Sequence, residues 1–193
     1  MTQLAYALNT FYLLVSAALV MWMAAGFTML EAGSISKKDV AEVVTKNLGL
    51  YSIACLMYLF CGFSIMYPGE NAISAVVPHL GTTLGLNAQA MFFNQDPGFS
   101  KGAEFLFQAV FVATTMSIIS GAVAGRMKLF PFFVLSIFVT GLIYPIEGYW
   151  KWGGGFLEKM GYVDFAGSSV VHLCGASAAL ATIFLLGPRH GKY

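Results

Sequence analysis

The chain has 193 residues, 58% of them hydrophobic and 10% charged, with a net charge of +1 and a mean hydropathy of +0.75. A soluble domain typically charges about a quarter of its residues. So few charges cannot coat a water-facing surface, and the near-neutral balance gives no reason to expect a nucleic-acid partner.

Five runs contain no Asp, Glu, Lys or Arg: Phe11–Leu30, Leu48–Tyr67, Phe105–Ala124, Leu129–Ile146 and Phe165–Gly187. A helix needs about 20 apolar residues to cross the hydrocarbon core. Four runs reach that length and Leu129–Ile146 lies at its lower limit. Five spans of an all-α integral membrane protein are predicted. The first run lacks a basic stretch before it and is too long for a signal peptide.

The segment Glu31–Asn47 follows the first run, and its second half reads as a helical lead-in with Asp39 as N-cap. Between the second and third runs, Pro68–Lys101 is rich in Gly, Asn and Pro. It holds His79 and the turn signal Asp96-Pro97, and has room for a short interfacial helix. Gly121 and Gly125 form a GxxxG pair, and Gly175 and Ala179 a small-xxx-small pair, both suited to close helix approach. A tight basic turn, Arg126–Lys128, joins runs three and four. Pro145 predicts a kink or an early stop in run four. Three glycines, Gly153–Gly155, precede the last run, and a Pro188–Lys192 tail with two basic residues follows it. Cys55, Cys61 and Cys174 all lie inside apolar runs, without metal-site spacing or disulfide density, and read as packing residues.

Charge sets the orientation. With alternating segments, Lys37, Lys38, Lys46, Arg126, Lys128, Arg189 and Lys192 fall on one side, and Lys101, Lys151 and Lys159 on the other. Basic residues favour the cytoplasm. The N-terminus is therefore expected outside and the C-terminal tail in the cytoplasm.

His172 is the only ionisable side chain inside the five runs apart from tyrosine and cysteine. A titratable group at bilayer depth is costly and usually faces the protein interior. It is either a neutral imidazole bonded between helices or part of a solute pathway. Asp164 stands eight residues earlier, at the start of the fifth run. Its carboxylate suits an N-cap for Phe165–Gly167. If the segment is helical, it also lies about 12 Å above His172, close enough to address one pathway. Phe105, Phe107, Phe111, Tyr149, Trp150 and Trp152 crowd the same end. They read either as an interfacial aromatic belt or, for Phe107 and Phe111 four residues apart, as a face that attracts a small cation.

Taken together, several stretches resemble the Amt/Rh ammonium transporters over nearly the whole chain. They are Gly26–Gly33, Lys46-Asn47, Phe107-Gln-Ala-Val-Phe111, Ser120–Arg126, Tyr144-Pro-Ile, Trp152–Gly155, Val163–Gly167, Val170-Val-His172 and Leu186–Arg189. Their order and spacing are more specific than any one of them. The resemblance implies that Trp152 and Phe111 form an outer ammonium recruitment site, with Phe111 also in the gate and Phe107 lining the vestibule. It implies that Asp164 supports that site and that His172 is the first of two pore histidines. Ammonium is a cation the size of potassium, so selection needs rings and hydrogen-bond acceptors rather than bare charge. Losing its proton yields a neutral species able to enter an apolar pore.

Three features depart from the family pattern. Gly125 stands where many members carry Glu, and Lys151 and Glu158 add charge near Trp152. The third is length. The family builds about eleven spans from two inverted halves with the pore between them, and residues 1–193 match the first half alone. The second histidine, partner gate aromatic and vestibule serine have no counterpart. His190 lies in the tail and His79 in an outer segment, so neither replaces the second histidine. The chain is therefore expected to be a fragment or split half of a larger pore for ammonium/ammonia in the cell (cytoplasmic) membrane. The resemblance also implies a homotrimer and a PII-type signalling partner. Two other readings are an ammonium sensor module and a non-transporting half that packs against a complete transporter. No nucleophile–base pair, metal cluster or phosphate loop points to an enzyme or a cofactor.

Overall fold

The computed structural model describes residues 2–83 and 98–188. The Asp96-Pro97 turn and the basic residues Arg189 and Lys192 lie outside the described residues. Among the described residues, five apolar helices are long enough to cross a membrane: α1 (Gln3–Ser34), α2 (Lys37–Met66), α3 (Lys101–Val123), α4 (Leu129–Lys159) and α5 (Ser168–Leu186). They correspond to the five predicted runs.

Helix α3 is the axis of the fold. It is the most buried of the five and packs against α1, α2 and α5, while α4 lies against α2. Gly175 brings α5 onto α3: a Cβ there would lie 3.0 Å from both Ile118 Cβ and the Thr115 carbonyl. Small residues allow this approach where lipid supplies no hydrophobic drive. The GxxxG expectation is corrected, because α3 ends at Val123 and Gly125 sits in the following turn with φ +69°. Gly121 alone faces α1, beside Phe27 and Glu31. In α1 itself, the buried residues are Ala17 and Glu31.

Pro145 does not stop α4. The helix widens into a π-turn over Val139–Ile143, where the Tyr144 N–H bonds back to Val139, and continues as Tyr144–Trp152. A wider turn gives the proline ring and its missing N–H room without ending the helix. A matching π-turn, Tyr58–Gly62, lies opposite in α2, and the Cys61 thiol donates to the Gly141 carbonyl at 3.3 Å across the pair. The lead-in to α2 begins earlier than expected, with a 3-10 turn over Lys37–Asp39. There Asp39 accepts from the Ser36 hydroxyl at 2.5 Å instead of capping the helix with its side chain. Of the outer segment, Gly69–Asn71 forms a single 3-10 turn.

Polar groups knit one end of the bundle. Glu31 Oε2 accepts from Asn47 Nδ2 at 2.9 Å and from the Ser120 hydroxyl at 3.0 Å, and all three residues are buried. This joins α1, α2 and α3. Lys46 is 1% exposed, pairs with Glu42 at 2.9 Å, donates to the Met127 carbonyl and lies 5.7 Å from the Phe132 ring centre. Arg126 Nη1 donates to the Gly187 carbonyl at 3.0 Å, closing the α3–α4 turn onto the end of α5. Buried polar groups are costly unless paired, so these contacts fix helix register at that end. Asn47→Ala, which leaves the Glu31 carboxylate one donor fewer, is expected to destabilise the bundle by about 1–3 kcal/mol. A lowered melting temperature in detergent would show it, and an unchanged one would contradict it.

Candidate functional site

The opposite end carries Trp152, Asp164 and a recess of about 350 Å³. Phe107, Gln108 and Phe111 of α3 form one wall. Trp152 at the end of an α4 segment, Tyr67 after α2, and Asp164, Phe165 and Ala166 before α5 form the rest. Four residues singled out in the sequence, Phe107, Phe111, Trp152 and Asp164, thus share one concavity. The Phe107 and Phe111 rings meet edge to face at 4.9 Å, and Phe111 lies 6.4 Å from Trp152.

The glycines after Trp152 set its position. A Cβ on Gly153 would lie 1.9 Å from the Met66 carbonyl, so only glycine lets the chain end of α4 press against α2. Both Gly153 and Gly155 donate to the Tyr149 carbonyl, and Gly154 donates to Glu158 Oε2 at 2.9 Å. Glu158 therefore braces this turn, and neither it nor Lys151 lines the recess. The remaining crowded aromatics have other tasks. Phe105 stacks on Tyr58 at 5.5 Å, and the buried Tyr149 donates its hydroxyl to Ser74 at 2.6 Å. Trp150 donates to the Val76 carbonyl at 2.8 Å.

The expected cap by Asp164 takes a different form. Helix α5 starts at Ser168, and Asp164 Oδ2 accepts from the N–H groups of Ser169 (3.1 Å) and Val170 (2.9 Å), not from Phe165–Gly167. The cause is a left-handed turn, with Ala166 at φ 61° and Gly167 at φ 78°. It folds the carboxylate back over the helix start, which has free N–H groups and a positive dipole end. Asp164 is 9% exposed, and its Oδ1 has no hydrogen-bond partner among the described residues. A helical rise between Asp164 and His172 therefore does not apply.

His172 lies in a π-turn spanning Ser168–Leu173. It does not line the recess. Its side chain is exposed on a face of α5 that also exposes Leu173, Ala176 and Leu180 and is left uncovered by the other described helices. Neighbours Val170, Val171 and Cys174 turn inward to α3. Two residues of the recess, Tyr67 and Gln108, are not among those the sequence singles out. Gln108 Nε2 donates to the Tyr67 hydroxyl at 2.9 Å. The polar position between Phe107 and Phe111 in an apolar run is the available signal for Gln108. Tyr67 ends its run and reaches the recess only through the fold.

Apolar helices of membrane length, packed through small residues around a buried central helix, define an all-α, multi-pass membrane protein. The chain belongs to the ammonium transporter family, whose profile, described as Ammonium Transporter Family, matches residues 11–193. A putative ammonium transporter of Synechocystis is 45% identical over 193 residues, covering 99% of this chain and 42% of its own length. Ammonium transporter Amt2 of Archaeoglobus fulgidus is 40% identical over 190 residues, covering 93% of this chain and 38% of its own. The solved Sensor Amt Protein superimposes with a TM-score of 0.88 at 29% identity, covering all of this chain and 47% of that one. A mutant of Candida albicans Mep2 matches with a TM-score of 0.78 at 25% identity, over 95% and 40% of the two chains. The chain spans about two fifths of the length of the curated relatives it matches.

Gly153→Ala is expected to push the turn after Trp152 away from Met66 and to destabilise the fold by about 1–3 kcal/mol, the cost of overpacking. The melting temperature should fall and Trp152 should become more accessible to a quencher. Retention of both wild-type values would refute the tight turn.

Proposed function

We propose that residues 1–193 form the N-terminal half of an ammonium/ammonia pathway in the cell membrane. The observation that carries this is the gathering of Phe107, Phe111, Trp152 and Asp164 around one recess, with Asp164 Oδ1 unpaired among the described residues. Ring faces attract a cation as it sheds water, and a buried carboxylate with one oxygen left without a donor among the described residues adds charge and an acceptor. The end bearing Lys46, Arg126 and Lys128 is the cytoplasmic one, which puts the recess and the N-terminus outside. Ammonium is recruited in the recess and gives up its proton to an imidazole relay of which His172 is the first member. Neutral ammonia then passes His172, whose uncovered face is completed by a second half. The working unit is a homotrimer, open to a PII-type protein from the cytoplasm.

Expressed from its native gene, the protein should take up labelled methylammonium. Asp164→Ala and His172→Ala should each lower uptake by at least about tenfold, the order of one lost charge-assisted bond. Expressed alone, residues 1–193 should give no uptake. Uptake by that segment alone, abolished by His172→Ala, would overturn the half-pore reading.

A second reading is favoured by the TM-score of 0.88 against the Sensor Amt Protein. There the same recess binds ammonium without throughput. Ammonium binding with no uptake in cells carrying the native gene would select it.

A further inference from the structure

We infer that Gln108 is the residue that distinguishes ammonium from potassium in the recess: its side-chain carbonyl accepts an N–H from the bound cation, and Tyr67 and Glu104 hold the amide in the orientation this requires. This rests on the recess being the cation site proposed above.

Gln108 is 8% exposed and lines the recess between Phe107 and Phe111. Its Nε2 donates to the Tyr67 hydroxyl at 2.9 Å, while its Oε1 has no partner among the described residues. Which way a buried amide faces is decided by its hydrogen-bond network. The Tyr67 hydroxyl has one proton, and it also hydrogen-bonds to the side chain of Glu104. A carboxylate oxygen can accept that proton, whereas an amide NH₂ cannot. Tyr67 therefore gives its proton to Glu104, and its oxygen receives the Gln108 amide. Reversing the amide would set two acceptors competing for one phenolic proton. Glu104 and Tyr67 together keep the Gln108 carbonyl, rather than its NH₂ group, free for a ligand.

Two side chains that line the recess, Asp164 and Gln108, thus each carry a buried acceptor atom without a donor among the described residues, Oδ1 and Oε1, and the rings of Phe107, Phe111 and Trp152 line the same recess. The rings and the carboxylate attract any small monovalent cation, including potassium. A fixed neutral carbonyl adds little long-range charge. It rewards a ligand that brings a directed N–H donor, and leaving a buried acceptor unmade is costly. Potassium has no proton to offer. In the sequence, Gln108 stands in a run that is otherwise apolar from Phe105 to Ala113.

The test uses the protein expressed from its native gene and reconstituted in lipid nanodiscs. Tryptophan emission is followed during titration with ammonium chloride or potassium chloride at constant ionic strength. In Gln108→Leu the preference for ammonium over potassium should fall about tenfold, the order of one hydrogen bond to a charged donor, with potassium affinity unchanged. Tyr67→Phe keeps the carbonyl but frees the amide to rotate, and should lower the preference in the same direction by about threefold. That variant decides the matter if Gln108→Leu does not fold. An unchanged preference, or an equal loss for both cations, overturns the role of Gln108 while leaving the recess as a cation site. A wild-type protein that binds neither cation overturns the recess reading and this inference with it.

Discussion

One carboxylate ties the recess to the helix beneath it. Asp164 Oδ2 holds the N–H groups of Ser169 and Val170, while Oδ1 has no donor among the described residues. The first oxygen satisfies free N–H groups at the start of α5. The turn that makes this possible places Ala166 in the recess wall and Gly167 under Trp152, where a Cβ would lie 3.4 Å from Trp152 Cη2. Displacing Asp164 would therefore disturb the start of α5, the seat of Trp152 and the charge of the recess at once.

The two ends of the bundle place their polar groups differently. At the Lys46 end, the polar bonds of Glu31, Asn47, Ser120, Lys46 and Arg126 run between helices and lock their register. At the Trp152 end, Asp164 and Gln108, which line the recess, each carry an acceptor without a donor among the described residues; Glu31 Oε1 at the other end is a further one. Interhelical bonds at one end and acceptor-bearing side chains around a recess at the other suit a scaffold that presents a fixed site to a ligand. The π-turns of α2 and α4 lie within their spans and that of α5 is its first turn, and π-turns recur where helices are adapted to function. His172 sits in one of them.

The spans are legible in the sequence because charge-free runs of membrane length report burial in lipid directly, whatever the packing. The packing itself is not. Pro145 carries a strong local signal for a break, yet the π-turn before it absorbs the proline, and that choice depends on Gly62 and Gly141 lying opposite. Phe107 and Phe111 are readable from their helical spacing, and Trp152 and Asp164 from the order of the stretches around them. The cap made by Asp164 falls about one turn later than the sequence suggests, because an alanine at positive φ has no sequence signature. Tyr67 is contributed to the recess across a distance of 41 residues from Gln108, and only the fold brings the pair together.

The cation site proposed in the recess would open toward His172 in the assembled protein. An experimental structure of the protein from its native gene, soaked with rubidium or caesium and phased on the anomalous signal, tests this most directly. An ion peak is expected among Phe111, Trp152 and Asp164, with the His172 ring turned into a cavity below it. An empty recess, or a His172 ring packed against acyl chains, would contradict the claim.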